Sequence, residues 1–198
     1  MSLCSLASIL GEVDTESDGW KIVESEFVIQ TRHLRLRRDT IELPGGELVR
    51  DYFVRESRGF SIVFALTRDE RVVLVRQYKH GIGQSLLELP AGAIDPGETP
   101  SACARRELAE ETGYAGDPAE PEHLGSFVYD PTSSNTRYHL FLARDCEPSG
   151  RQALEPTEQI SVELATLDEL RRFVRDGTIE VGAHVASIYY TLDRLGKL

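Results

Sequence analysis

Cysteine is scarce in this sequence, with three residues in a chain of 198. Cys4, Cys103 and Cys146 are odd in number and widely spaced, a pattern that fits neither a disulfide framework nor a Cys-x-x-Cys zinc site. We therefore interpret all three as structural thiols.

Long hydrophobic runs and an excess of positive charge are also missing. No stretch approaches the roughly 18 consecutive apolar residues of a membrane span, and the opening MSLCSLASIL lacks the basic region of a secretory signal. A cytoplasmic location is therefore expected. The 22 basic and 33 acidic residues give a net charge of −11, which disfavours binding to nucleic acid or to anionic lipid. An acidic protein that handles phosphate would need a metal ion to mediate the contact.

What the sequence does contain is a series of β-strand patterns. Residues 20–31 (WKIVESEFVIQT) and 33–38 (HLRLRR) alternate loosely in polarity, which predicts an N-terminal antiparallel sheet. GFSIVFALT and RVVLVRQY, separated by the turn RDE, predict a buried hairpin. Four further strands are predicted at residues 85–92, 123–129, 137–143 and 160–164.

Two helices are predicted near the C-terminus. TLDELRRFVRDG has Thr166 or Asp168 near its start and Gly177 as its stop, and AHVASIYYTLDRL follows. In the second helix an apolar stripe, interpreted as core or dimer contact, comprises Val185, Ile188, Tyr189 and Leu192. The order of elements predicts an α+β layered domain over residues 56–198, preceded by an N-terminal β extension over residues 1–55.

A further predicted helix carries three carboxylates in its last turns, within RRELAEETGY. Thr99 can cap the start of this helix and Gly113 can end it. With about 100° per residue, Glu107, Glu110 and Glu111 share one arc of about 100°. The three negative charges therefore lie on one face.

This charged face opposes two local rules. Like charges at i,i+3 and i,i+4 repel by about 0.2–0.5 kcal/mol each, and anions near a helix C-terminus oppose the dipole by about 0.3–1 kcal/mol. One explanation is that glutamate is simply a good helix former on a solvated face. The other is a bound divalent cation, because hard Mg²⁺ or Mn²⁺ prefers carboxylate oxygens and converts the repulsion into shared coordination.

The residues before the helix favour the cation. GAIDPGETPSACARRELAEETGY fits the pattern Gly-x5-Glu-x7-Arg-Glu-U-x-Glu-Glu-x-Gly-U, in which U is a bulky apolar residue. The fixed positions in register are Gly92, Glu98, Arg106, Glu107, Leu108, Glu110, Glu111 and Gly113. Only Tyr114, at the final U position, departs from an aliphatic residue. The pattern resembles the Nudix box, the signature of hydrolases that cleave a nucleoside diphosphate linked to another moiety.

This resemblance implies a Nudix α/β/α sandwich with a mixed sheet, and a site for Mg²⁺ or possibly Mn²⁺. Glu107 and Glu111 would be the chief metal ligands, and Ala91 would contribute its backbone carbonyl. Glu110 would lie beside them as a catalytic candidate. Arg106 is also included in the predicted catalytic set. Its fork can pair with Glu98 returning from the loop, a pair that we interpret as structural support.

The preceding run, RQYKHGIGQSLLELPAG, resembles the ADP-ribose and nucleotide-sugar pyrophosphatase branch of this family. The resemblance implies hydrolysis of a nucleoside diphosphate sugar to a nucleoside monophosphate and a sugar phosphate. In that branch an N-terminal segment typically helps form an intertwined homodimer, so a homodimer is expected. Arg55, Arg76 and Tyr78 are candidate contacts to phosphate or base, with ordinary surface or core roles as the alternative.

Two loops after the box bear on substrate and catalysis. In YDPTSSNTRYH, Thr132 replaces the glycine that follows Pro131 in the branch, and Thr136 stands where an acid is expected. GDP-mannose and ADP-glucose therefore stay open as substrates beside ADP-ribose. In EPTEQISV, Glu158 matches a late acid that orients or deprotonates water or completes the metal site, and a solvated loop residue is the alternative.

Two other functions compete with this interpretation. One is hydrolysis of nucleoside triphosphates or dinucleoside polyphosphates, and the other is non-catalytic sensing of a nucleotide sugar. A sensor typically loses box acids, and none is lost here. RNA decapping is disfavoured by the negative charge and the lack of a basic tract.

Overall fold

The computed structural model describes residues 16–198, which form two compact units. The first comprises the described residues up to Ser57 together with Val128–Thr136. The second comprises Arg58–Phe127 and Arg137–Leu198. Cys4 lies outside the described residues.

The first unit contains a four-stranded antiparallel sheet. Its strands follow one another in chain order as β1 (Glu16–Ser17), β2 (Trp20–Gln30), β3 (Arg35–Glu42) and β4 (Leu48–Glu56). The predicted N-terminal antiparallel sheet is confirmed. Strand β4 was not predicted, because its apolar side chains do not alternate cleanly: Leu48 and Phe53 are both exposed.

A buried group of charged side chains fixes the register of this sheet. The Arg37 guanidinium donates from Nε to Asp39 at 3.0 Å and from Nη1 to Glu56 at 2.7 Å. Ser25 Oγ donates to the same aspartate at 2.5 Å. Because a buried charge is tolerated only when it is paired, these contacts tie β2, β3 and β4 to one alignment.

The second unit is built on a mixed sheet. Its strands are β5 (Phe60–Thr67), β6 (Arg71–Lys79), β7 (Gln84–Glu88), β8 (Ala91–Ala93), β9 (Tyr114–Ala115), β10 (Glu122–Val128), β11 (Arg137–Pro148) and β12 (Ile160–Thr166). The central order is β10-β11-β5-β6-β12, and β7, β8 and β9 pair with β6, β5 and β11. Strand β11 runs parallel to β5, whereas β5 with β6 and β6 with β12 are antiparallel.

Helices cover both faces of this sheet. They are α1 (Pro100–Thr112), α2 (Leu167–Arg175) and α3 (Gly182–Arg194). Val63 and Val73 pack with Leu108 of α1 on one face, and on the other Leu74 packs with Leu170 of α2. Since neighbouring strand residues point to opposite faces, this alternation produces the three layers. The predicted α/β/α sandwich is confirmed.

Helix α3 packs on the same face as α2, through Ile188 and Leu192, which are fully buried. Tyr189 is 41% exposed, so the buried stripe is narrower than predicted. Among the described residues, no helix is long and apolar enough to cross a membrane.

The two described cysteines, Cys103 and Cys146, are buried and form no disulfide. Burial raises the pKa of their thiols to about 11 and about 12, so both stay protonated at neutral pH. This environment agrees with their interpretation as structural thiols.

Candidate active site

Helix α1 begins and ends where the sequence predicts. Thr99 Oγ1 accepts the Ala102 N–H at 3.2 Å, and Pro100 is the first helical residue. At the other end Gly113 adopts a left-handed φ of 72°, and its N–H donates to the Ala109 carbonyl at 2.8 Å. These two caps fix the position of the acidic residues between them.

Two of the three acids on this helix are buried. Glu107 is 8% exposed and Glu111 is 3% exposed, whereas Glu110 is only partly buried. A solvated helix face therefore does not explain the first two. Carboxylates are rarely buried this deeply unless they are paired or bind a cation.

Strand β8 lies directly against these carboxylates. A Cβ atom added at Gly92 would stand 1.9–2.4 Å from the carboxylate atoms of Glu107. The Ala91 N–H donates to Glu111 Oε2 at 2.9 Å. Ala91 thus meets Glu111 through its amide, and the role predicted for its carbonyl stays a prediction.

Arg106 joins the loop before α1 to the acids on the helix. Its Nε and Nη2 donate to the two oxygens of Glu98 at 2.9 and 2.8 Å, and Nη2 also donates to the Ala93 carbonyl at 3.1 Å. Its Nη1 donates to Glu107 at 2.7 Å and to Glu110 at 3.1 Å. The guanidinium holds the pKa of Glu98 below its usual range. The pairing of Arg106 with Glu98 predicted from the sequence is present.

Because lysine cannot reproduce this fork, Arg106→Lys is expected to lower the free energy of unfolding by about 1–3 kcal/mol. It should also reduce hydrolysis, since Glu107 loses a fixed neighbour. Arg105→Lys is the matched control, because Arg105 is exposed and has one ion pair, with Glu120 at 3.3 Å. Urea unfolding of the three proteins measures the difference, and equal losses in both variants would contradict the role of Arg106.

Burial also disfavours the ionised form of both acids. It raises the pKa of Glu107, with Arg106 opposing the change, and it raises the pKa of Glu111 to about 8. The negative charge of Glu158, which is distant in the sequence, adds to both shifts. Its carboxylate accepts the Glu155 N–H at 2.9 Å.

The chemistry of these donors suits a hard divalent cation. Within residues 16–198, no group of three or more Asp, Glu, His or Cys side chains is arranged so that it could hold a metal ion. In the present arrangement Arg106 and the Ala91 amide occupy oxygens of Glu107 and Glu111. The oxygens are nevertheless of the type that Mg²⁺ and Mn²⁺ prefer, and a cation would offset the cost of burying their charge. The residues present therefore fit the ion.

The chain between β11 and β12 closes the C-terminal end of α1. The Ala153 N–H donates to the Glu110 carbonyl at 2.9 Å, and Gln152 Nε2 donates to the Glu111 carbonyl at 2.6 Å. The Gly113 carbonyl accepts the Ser149 N–H at 2.8 Å. Carbonyls in the last turn of a helix have no partner within it, and residues 149–153 supply one. The same chain then leads to Glu158.

Two of the predicted substrate contacts lie away from the acids. Along β6, Arg76 and Tyr78 alternate with Gln77 and Lys79, so the two pairs point to opposite faces of the sheet. Arg76 Nε donates to Glu163 at 2.6 Å, and Tyr78 is largely exposed. Contact of either residue with substrate stays a prediction that this arrangement does not favour.

Lys79, the last residue of β6, was not named as a candidate contact in the sequence analysis. Burial raises the pKa of Glu111, and the positive charge of Lys79 opposes this rise. Its Nζ donates to Glu88 Oε2 at 2.8 Å and to Gln77 Oε1 at 2.5 Å. Strand alternation separates Lys79 from Arg76, but it does not say which of the two residues shares a face with the acids.

The third predicted contact, Arg55, belongs to the first unit. Its N–H donates to the Ser133 carbonyl at 2.8 Å, and its carbonyl accepts from Ser134 Oγ at 2.9 Å. Tyr52 Oη donates to the Thr132 carbonyl at 2.9 Å. The loop that departs from the pyrophosphatase pattern is therefore fixed to β4. Thr136, in the position of the expected acid, is buried.

Comparisons with known proteins extend over most of the chain. Residues 56–184 match the family model described as NUDIX domain, and residues 20–54 match the nucleoside diphosphate sugar hydrolase N-terminal domain. The chain is 32% identical to the methanol dehydrogenase activator of Bacillus methanolicus and 26% identical to the ADP-ribose pyrophosphatase of Bacillus subtilis (strain 168). Each match covers 86% of this chain and 91% of the relative.

A solved structure described as an ADP compounds hydrolase shares the fold. Its TM-score is 0.77 at 22% identity, and the match covers 90% of this chain and 97% of that chain. The fold, the acidic helix and the two domain matches point to one family. The chain belongs to the Nudix family of hydrolases and carries the N-terminal domain of the nucleoside diphosphate sugar hydrolases.

Proposed function

We propose that this protein hydrolyses the pyrophosphate bond of a nucleoside diphosphate sugar, yielding a nucleoside monophosphate and a sugar phosphate. The observation that carries the proposal is the pair of buried carboxylates, Glu107 and Glu111, held against β8 by α1. The names of the relatives support the substrate class, since one is an ADP-ribose pyrophosphatase.

The proposed cofactor is Mg²⁺, with Mn²⁺ as the alternative. Glu107, Glu111 and the Ala91 carbonyl would hold it. When bound, such an ion neutralises the pyrophosphate oxygens and lowers the pKa of a coordinated water. Arg106 keeps Glu107 and Glu110 in place from the side of the loop.

Glu158 is the proposed general base. Its charge acts on both buried acids, and its position on a loop leaves it able to approach a water molecule next to the substrate. Glu110 is the second candidate, because it is partly exposed beside them. For the substrate, Lys79 is a better-placed cation than Arg76, because the alternation of β6 directs Arg76 to the face opposite α1.

A substrate panel tests this proposal. The protein is incubated with Mg²⁺ and ADP-ribose, ADP-glucose, GDP-mannose, NADH or nucleoside triphosphates, and the products are separated by chromatography. Release of a nucleoside monophosphate and a sugar phosphate is the expected result. Pyrophosphate release from triphosphates as the main activity would favour the other hydrolase class. Tight binding of one nucleotide sugar without turnover would indicate a sensor.

The proposed assembly is a homodimer formed through the N-terminal sheet. Six apolar side chains of that sheet are each at least 40% exposed: Trp20, Val23, Val28, Ile29, Leu48 and Phe53. Apolar side chains gathered on one small sheet are typical of a surface that is covered by a partner. A cytoplasmic location stays a prediction from the sequence.

Phe53→Glu is expected to shift the protein from dimer to monomer, because it places a charge at the proposed interface. Light scattering coupled to gel filtration measures the mass. Ile82→Glu is the control, since Ile82 is 55% exposed in the second unit and should leave the dimer intact. A Phe53→Glu protein that keeps the dimer mass would contradict this interface.

A further inference from the structure

A buried histidine at the start of α3 contacts the segment that leads into the acidic site. His184 is 5% exposed, and its Nδ1 accepts the Leu89 N–H at 3.1 Å. Leu89 stands two residues before Ala91, which bonds Glu111. The histidine therefore holds the backbone just ahead of a proposed metal ligand.

The hydrogen bond to Leu89 also fixes the state of the ring. Because Nδ1 accepts a hydrogen bond, a neutral imidazole must carry its own hydrogen on Nε2. Burial keeps the ring neutral, since it lowers the pKa of His184 to about 3. The Nε2 atom faces Glu88 Oε1 at 3.8 Å.

Glu88 connects the histidine to Lys79. Its side chain is almost fully buried, and its second oxygen accepts from Lys79 Nζ at 2.8 Å. The segment that leads to Ala91 therefore has two anchors: the hydrogen bond from Leu89 to His184, and the ion pair of Glu88 with Lys79. Through the Ala91 N–H this segment reaches Glu111.

We propose that His184 and Glu88 are positioning residues that hold the Leu89–Ala91 segment against Glu111, and so set the affinity of the acidic site for a divalent cation. Neither residue touches the substrate in this role. The inference rests on the proposed function, because it assumes that Glu111 binds the ion. Partners one step removed from a metal typically change its affinity by about 10- to 100-fold when they are replaced.

Two substitutions at His184 separate positioning from packing. His184→Leu keeps the apolar contacts of the ring and removes the acceptor for Leu89. His184→Asn keeps an oxygen near the place of Nδ1. Thr191→Val is the control on the same helix. Thr191 is also buried, and its hydroxyl donates to the Ser187 carbonyl of α3.

The measurement is the dissociation constant of Mn²⁺, followed by electron paramagnetic resonance without substrate, together with kcat, KM and the melting temperature. His184→Leu should weaken Mn²⁺ binding by about 10-fold or more and lower kcat more than it raises KM. His184→Asn should recover most of the affinity, and Thr191→Val should keep it. Wild-type affinity in folded His184→Leu would overturn the proposal.

If His184→Leu fails to fold, Glu88→Gln tests the second anchor of this segment. This substitution keeps the size of the side chain and an acceptor for Lys79 but removes the charge that fixes the ammonium. Weakened Mn²⁺ binding supports the proposal, and unchanged binding overturns it. A wild-type protein that binds no Mn²⁺ and hydrolyses nothing would instead refute the proposed function, and this inference with it.

Discussion

Replacing Glu111 by glutamine is expected to lower kcat by at least about 100-fold, since even the outer partners of a metal site contribute about 10- to 100-fold. Glutamine keeps the size of the side chain and an oxygen that can accept the hydrogen bond from the Ala91 N–H. With Glu111 this bond is 2.9 Å long. It removes the charge that the proposed ion requires. The loss should therefore fall on metal binding and turnover.

Folding should be preserved in the same variant. Burial already disfavours the ionised carboxylate, because the pKa of Glu111 is raised to about 8. A neutral amide in that place should leave the melting temperature of the metal-free protein unchanged or higher. Circular dichroism and Mn²⁺ titration measure the two effects separately.

Glu120→Gln is the matched control for this substitution. Glu120 is largely exposed and lies outside the acidic face of α1. It pairs with Arg105. Its replacement should leave kcat within about 2-fold of the wild type, as expected for a surface ion pair of small energy. Wild-type turnover by the Glu111→Gln protein would refute the assignment of Glu111 as a metal ligand.

Gly92→Ala is expected to lower activity by about 10- to 100-fold while the fold persists. The new methyl group would stand 1.9–2.4 Å from the carboxylate of Glu107. That carboxylate is the far end of a flexible side chain, so it can move aside at little cost in stability. A displaced carboxylate can no longer serve as the proposed metal ligand, so the substitution should lower activity rather than stability.

Two other glycines provide the comparison. Gly45→Ala should be silent, because nothing lies within 4 Å of the added Cβ. Gly59→Ala should destabilise instead, since the Cβ would stand 2.5 Å from the Arg137 carbonyl oxygen and Gly59 has a φ of 91°. Thermal melting and initial rates of the three variants separate the two effects. A Gly92→Ala protein that is fully active would show that Glu107 need not hold its present position.

The ends of helix α1 and the positions of its acids could be predicted from the sequence, because both depend on residues close together in the chain. Thr99 and Gly113 act through their own backbone neighbours, and the angle between Glu107 and Glu111 follows from helix geometry alone. The pairing of Arg106 with Glu98 spans only a short loop, and the motif fixes its spacing. Motif and periodicity together were enough for this part of the site.

The rest depends on contacts between distant parts of the chain. The side of β6 that faces the acids could be assigned only once its neighbours were known, so Arg76 was named in the sequence analysis and Lys79 was not considered. His184 follows Glu88 by nearly half the chain, and no motif joins them. Strand β4 lacks clean alternation because its sheet buries charged residues such as Arg37 and exposes apolar ones such as Phe53.

The contacts that residues 149–153 make with the end of α1 restrict how Glu158 can move. As far as Ala153 the chain is anchored to the helix, and from Ile160 it is held in β12. Residues 154–159, which include Glu158, lie between these two anchors. A change in the length of that span would alter the reach of the proposed base while the contacts at the end of α1 stay in place.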